Sequence, residues 1–220
     1  MADQPSHWVK WHSQYDDDTS SLSRRLAVVQ ERLAKALDDA PPGGIRLASI
    51  CAGEGRDVTG VLAVHPRGRD VDGLLVEKDR ALVTSARSRL RDAGVSAVEV
   101  VRADASVTDV YEAIVPVDIA LVCGVFGNIE ASDIKSTIFE LPNLCASDAT
   151  VIWTRHHRAP DLTPSIRRWF EEAGFTELSF DTCEPFSFGV GTHRLSIPPG
   201  SFRPGTKMFD FVGTGEEARC

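Results

Sequence analysis

At 220 residues, 42 % of them hydrophobic and 25 % charged, the chain is long enough for one globular domain with a full core. Its net charge of −8 has the wrong sign for a non-specific nucleic-acid binder, and no apolar run reaches the roughly 18–20 residues that span a membrane. The polar, acidic start lacks the apolar stretch of a secretory signal, and Cys51, Cys123, Cys145, Cys183 and Cys220 show no C-x-x-C spacing, so reduced cytoplasmic thiols are expected, with no disulfide framework and no metal site.

Residues 1–19 have no strong periodicity, but they hold His7, Trp8, Trp11, His12 and Tyr15. Ser20 or Ser21 can cap a helix running to about Asp39, with Leu22, Leu26, Val29, Leu33 and Leu37 on one face. Pro41-Pro42-Gly43-Gly44 ends it. An apolar strand, Ile45–Ile50, runs into the small-residue turn Cys51–Gly55, and Val58, Val61 and Leu62 follow at helical spacing. A strand over Asp72–Glu77 precedes a helix from Arg80 to Ala93, closed by Gly94. The basic cluster Arg87–Arg91 falls at that helix's end, where cations suit the dipole. The pattern continues with a strand over Ala97–Ala103, a short helix over Thr108–Ile114 and a strand over Val117–Cys123. Ser132 can cap a helix from Asp133, and a strand covers Thr150–Thr154. Thr163 can cap, with Pro164 in the first turn, a helix ending near Gly174. Thr176–Asp181 and Gly189–Ile197 read as two last strands, joined by a short connection that holds Pro185. A Pro-rich segment, 198–206, and a short run over Lys207–Val212 follow.

Alternation of this kind predicts an α/β, doubly wound, mostly parallel seven-stranded sheet with an antiparallel last hairpin. Residues 1–44 would form an N-terminal lid or helical extension, and residues 45–220 the main domain.

Such a sheet takes ligands beyond the carboxyl ends of its strands. A strand, a glycine turn and a helix in succession present free backbone N–H groups to a ligand, and Gly53 and Gly55 let the backbone approach without a Cβ in the way. Glu77 lies 22 residues past Gly55, the length of one helix and one strand, which brings its carboxylate beside the turn. A ribose diol offers two donors that suit a carboxylate.

The order and spacing of these residues resembles the class I S-adenosylmethionine-dependent methyltransferases of small-molecule type over about residues 45–197. The resemblance implies a Rossmann-like fold and S-adenosylmethionine as cofactor. The turn Cys51-Ala52-Gly53-Glu54-Gly55-Arg56-Asp57 looks like that family's first motif, with Gly53 and Gly55 on its last two glycines. Cys51 stands where the first glycine is usual, and Ser49 where an acid is usual. Glu77, followed by Lys78, matches the family's ribose-binding acid. Asp104, followed by Ala105, matches the acid that reads the adenine amino group, although it could simply cap the next helix. Asp118 through Cys123 and Gly124 resembles the fourth-motif strand.

A nicotinamide cofactor is the rival. Its G-x-G-x-x-G fingerprint fails at Val58, and Asp57 in the first helical turn would repel a pyrophosphate while tolerating a sulfonium and an ammonium. A hydroxyl or phenol acceptor needs a general base, and His156 or His157, just after the fifth strand, is placed for that role; His193 is a weaker candidate. The N-terminal aromatic segment could fold over the cofactor as a lid, with Tyr15 reaching the cofactor carboxylate. The same segment could instead be a tail or the contact of a homodimer. The fourth strand is not followed by the Asn/Asp-Pro-Pro-aromatic signature of nucleobase amino methyltransferases, since Cys123-Gly124-Val125-Phe126 stands there. A small-molecule methyl acceptor remains, with no nucleic-acid or membrane partner. The alternative is a non-catalytic binding or regulatory protein of the same fold, in which Ser49 and Cys51 mark a decayed site.

Overall fold

A computed structural model describes Tyr15, Asp17, residues 19–182 and residues 187–212. His7, Trp8, Trp11, His12, Cys183, Pro185 and Cys220 lie outside the described residues.

The elements are α1 (Ser21–Asp39), β1 (Ile45–Ile50), α2 (Arg56–Leu62), β2 (Val71–Glu77), α3 (Arg80–Asp92), β3 (Val98–Arg102), β4 (Val117–Val122), α4 (Ala131–Leu144), β5 (Cys145–His156), α5 (Thr163–Glu172), β6 (Phe175–Thr182) and β7 (Phe188–Leu195). The seven strands form one sheet in the order β3-β2-β1-β4-β5-β7-β6. Pairing is parallel from β3 across to β5, and β7 runs antiparallel to both β5 and β6. The strand order reverses between β1 and β4, so a crevice opens at their carboxyl ends.

Both faces of the sheet are covered, which is why the central strands are apolar at nearly every position. Leu47, Leu75 and Ile152 face one core with Val29, Leu33 and Leu37 of α1 and Val58 of α2. Ile50, Val76 and Trp153 face the other, with Ile138 of α4 and Phe170 of α5. Among the described residues, no helix is long and apolar enough to cross a membrane.

Ser20 caps α1, its hydroxyl accepting from the Ser23 N–H at 3.0 Å. Gly94 follows α3 at φ +71° and Gly174 follows α5 at φ +88°, the left-handed positions expected of glycine after a helix. Three sequence expectations are corrected. The predicted helix over Thr108–Ile114 is a 3-10 turn over Thr108–Tyr111. α4 begins at Ala131 after Glu130, so Ser132 sits inside the first turn and is no cap. Thr163 is the first helical residue of α5, not its cap, and Asp161 Oδ1 accepts from both its N–H and its hydroxyl.

β5 runs for 12 residues, twice the length of β4. Its last pairing with β4 is Val122↔Trp153, whereas its pairing with β7 continues through Arg155↔Gly189 and His156↔Phe188. The end of β5 therefore stands above the sheet edge. After β7 the chain returns as a strap along that edge. Thr108 N donates to Thr206 O, Met208 N to Ser106 O and Val212 N to Asn128 O, which ties the strap to the ends of β3 and β4. Within the strap, Met208 and Phe209 are buried.

Candidate functional site

The turn after β1 is built from three left-handed residues. Cys51, Gly53 and Gly55 have φ of 58°, 57° and 64°. Glycine reaches this region without strain and a side chain rarely does, so Cys51 occupies a position whose backbone asks for glycine. At Gly55 the packing is also tight, since a Cβ would lie 2.7 Å from Leu75 Cδ2. Ala52 N donates to Val76 O at 2.9 Å, docking the turn against the end of β2.

Glu77, at that end, supports the turn directly. Its Oε2 accepts from Gly53 N at 2.9 Å and its Oε1 from Asp79 N at 2.7 Å. A carboxylate has about four lone-pair sites, so these backbone bonds still leave it able to accept from a ligand hydroxyl. Burial raises the Glu77 carboxyl, opposed by these backbone hydrogen bonds. Burial also raises Asp57, in the first turn of α2, and the Cys51 and Cys123 thiols. Glu54 turns back from the crevice: Oε2 meets Arg56 Nε at 2.6 Å and Oε1 accepts from Ser85 at 2.9 Å. Lys78 is largely exposed, and its Nζ lies 3.6 Å from Asp104 Oδ2.

Asp104 forms an Asx turn, Oδ1 accepting from Ser106 Oγ at 2.6 Å and Ser106 N at 3.1 Å. The Ser106 hydroxyl bond leads in holding its carboxyl down at about 2, with Lys207 and Lys78 adding to it. Lys207 belongs to the strap, 3.5 Å from Asp104 Oδ2. Ala105 is buried, and its carbonyl accepts from the Tyr111 hydroxyl at 2.8 Å. Gly124, at φ +75°, donates its N–H to Thr154 Oγ1 at 2.9 Å, and a Cβ there would meet nothing within 4 Å.

Tyr15 comes to the same place from the amino-terminal side. Its hydroxyl accepts from Arg25 Nη2 at 3.2 Å, and the Arg56 guanidinium lies 5.4 Å from its ring centre. Arg25, on α1, acts electrostatically on Asp57 and Cys123. Tyr15, Cys51, Ala52, Gly53, Gly55, Asp57, Glu77, Lys78, Asp104, Ala105, Cys123 and Gly124 thus all lie along one sheet edge, on or beside the ends of β1 to β4. Arg25, Thr154 and Lys207 join them unannounced by any sequence signal: each is an ordinary polar residue remote from the motif.

The two histidines differ. His156 Nδ1 accepts from Arg158 N at 3.2 Å, and its ring bonds the Gly127 backbone. Burial, with help from Arg155 and Arg158, lowers its pKa. His157 Nδ1 lies 3.3 Å from both Asp161 Oδ2 and Thr163 Oγ1, while its Nε2 has no hydrogen-bond partner. An acid held to Nδ1 fixes the tautomer that leaves Nε2 basic. His193 is buried in the β5–β7–β6 end of the sheet, where Trp153 Nε1 donates to its Nδ1 at 3.1 Å.

These features suit an adenosyl sulfonium cofactor. The left-handed turn leaves backbone room, and the nearby carboxylates of Glu77, Asp57 and Asp104 suit hydroxyls, an amine and positive charge. No family model matches the chain, and no curated protein does. Solved structures do share its fold. A magnesium protoporphyrin IX methyltransferase from Synechocystis PCC 6803 with bound S-adenosylhomocysteine is similar at TM-score 0.65 and 11 % identity, over 86 % of this chain and 94 % of that one. An O-methyltransferase family protein from Burkholderia thailandensis is similar at 0.59 and 13 % identity, over 84 % of this chain and 62 % of that one, so the chain spans less than two thirds of its length. The 4+2 cyclase SpnF is similar at 0.56 and 14 % identity, over 76 % of this chain and 80 % of that one. The fold is that of the class I methyltransferases, with the strand order β3-β2-β1-β4-β5-β7-β6.

Proposed function

We propose that this protein is a cytoplasmic methyltransferase that uses S-adenosylmethionine to methylate a small molecule. One observation carries the reading: Glu77 is held by Gly53 N–H against a turn whose positions 51, 53 and 55 are all left-handed. Glu77 would take the ribose hydroxyls and Asp104 the adenine amino group. Asp57, Tyr15 and Arg25 would meet the amino-acid end. The free thiols of Cys51, Cys123 and Cys145 suit a reducing compartment.

The cofactor, when bound, supplies an electrophilic methyl group on a positively charged sulfur. The chain's own part is to align an acceptor in line with it and to exclude water. For a hydroxyl acceptor, His157 Nε2 is the base that removes the proton, and Asp161 steadies the imidazolium formed. His156 is less suited, because its Nδ1 already accepts from the Arg158 N–H, its ring bonds the Gly127 backbone, and among the described residues no acid orients it.

Titration calorimetry with S-adenosylhomocysteine tests the reading. Binding in the micromolar range is expected, and Glu77→Ala should weaken it by about 1–3 kcal/mol. Absence of any heat at millimolar ligand would overturn the proposal. A second reading, a protein of this fold that transfers no methyl group, is favoured by the likeness to a cyclase. It predicts cofactor binding without turnover of any acceptor.

A further inference from the structure

Arg155 is 6 % exposed, yet no carboxylate pairs with it among the described residues. Other largely buried arginines have acids in contact: Arg32 with Asp181 at 2.7 Å, Arg56 with Glu54 at 2.6 Å and Arg67 with Asp70 at 2.9 Å. Arg155 Nη1 donates to the carbonyl of Phe126, and its Nε has no partner. The nearest acid to act on it, Asp161, is already committed, Oδ1 to Thr163 and Oδ2 to His157. A buried cation with an unmet donor is costly, and an oxyanion at that donor would relieve it.

Its position is equally telling. Arg155 lies two residues beyond the last β4–β5 pair, Val122↔Trp153, so it stands roughly 7 Å above the level at which β4 ends. On its β4 side lies the loop after β4, tied to β5 by Gly124 N–Thr154 and by Phe126 O–Arg155. Asp161 acts on both Arg155 and His157, so guanidinium and imidazole share one neighbourhood. A carbonyl alone could be held by a neutral side chain. The guanidinium adds a flat edge at Nε, the edge that takes a carboxylate side-on.

We infer that Arg155 anchors a carboxylate of the methyl acceptor through its unpartnered Nε edge, beside His157; the inference rests on the methyltransferase reading. The acceptor class is therefore a carboxylate-bearing small molecule.

The test follows the Arg155 Nε–H signal in 15N-labelled wild-type protein, assigned by its loss in Arg155→Gln. Arg155→Lys, which keeps charge but not the fork, assigns it if the Gln variant does not fold. Acetate and, separately, inorganic phosphate are titrated at constant ionic strength, and S-adenosylhomocysteine binding is measured on the same sample. A saturable shift with acetate in the millimolar range, tighter than with phosphate, is expected. No saturable shift, or tighter binding of phosphate, overturns the inference. Nucleoside binding without an acetate shift removes the anchor and leaves the methyltransferase reading standing. An acetate shift without nucleoside binding supports the oxyanion site and removes that reading.

Discussion

Cys51 holds a left-handed backbone that costs an L-residue roughly 1–2 kcal/mol. Its thiol packs against the core on the α4–α5 face, which repays part of that cost. Cys51→Gly should therefore change unfolding free energy by no more than about 1 kcal/mol. Cys51→Val, β-branched in the same backbone, should lose about 2 kcal/mol or more in urea denaturation. If valine is tolerated as well as glycine, the turn is not under this constraint. If His157 is the base proposed above, His157→Ala should lower kcat while leaving nucleoside affinity intact. His157→Ala with an unchanged kcat would dismiss the histidine from the reaction. His193 tests a buried titration. Burial holds its pKa down at about 4, whereas the unfolded chain protonates it near 6.5. Between those values unfolding takes up a proton, so stability falls as pH drops and levels off below about 4. His193→Phe should flatten that limb, at a cost of about 1–3 kcal/mol for the unpaired Trp153 N–H. Parallel pH profiles for the two proteins would refute this assignment.

Among the elements, α1 is joined to the sheet by more than its apolar stripe. Leu33 and Leu37 are fully buried against the face that carries Val58 and Val190. Arg67 then staples the loop beyond α1. Its Nη1 donates to Leu37 O at 3.2 Å and Ala40 O at 2.5 Å, and its Nη2 to Pro41 O at 3.0 Å and Gly43 O at 2.9 Å. These carbonyls end a helix or sit in a Pro/Gly loop, where no backbone donor follows in register. Arg67→Ala should cost about 2 kcal/mol and speed amide exchange at the end of α1. Unchanged exchange there would show that the apolar stripe alone holds the helix. The strap is the second such element. Backbone hydrogen bonds join it to Ser106, Thr108 and Asn128, and Lys207 brings a cation to Asp104.

For the whole molecule, a ligand that binds only the folded chain raises its stability by mass action. At a hundredfold excess over Kd the gain is about 2.7 kcal/mol, which for a chain of this size corresponds to roughly 5–10 °C in Tm. S-adenosylhomocysteine should produce that shift in wild type and a smaller one in Glu77→Ala. Equal shifts in both proteins would separate Glu77 from the cofactor site.

Much of this architecture was legible in the residues. Ile45–Ile50 as a strand, the left-handed glycine positions and the cap at Ser20 all depend on neighbours within a few residues, so local steric rules suffice. The alternation of elements likewise determined a doubly wound sheet, because parallel strands require covered faces. Tertiary structure alone decided the rest. It extended β5 past the sheet edge, since β7 supplies partners there that β4 does not. It separated His156 from His157 by giving one a backbone carbonyl and the other an acid. It brought Arg25 and Lys207 to the edge, from positions where nothing in the sequence marks them. It left Arg155, next to the histidines that the sequence does mark, without an acid of its own among the described residues. These contacts join residues far apart in the chain, and packing of the two cores, not local propensity, sets which polar groups meet.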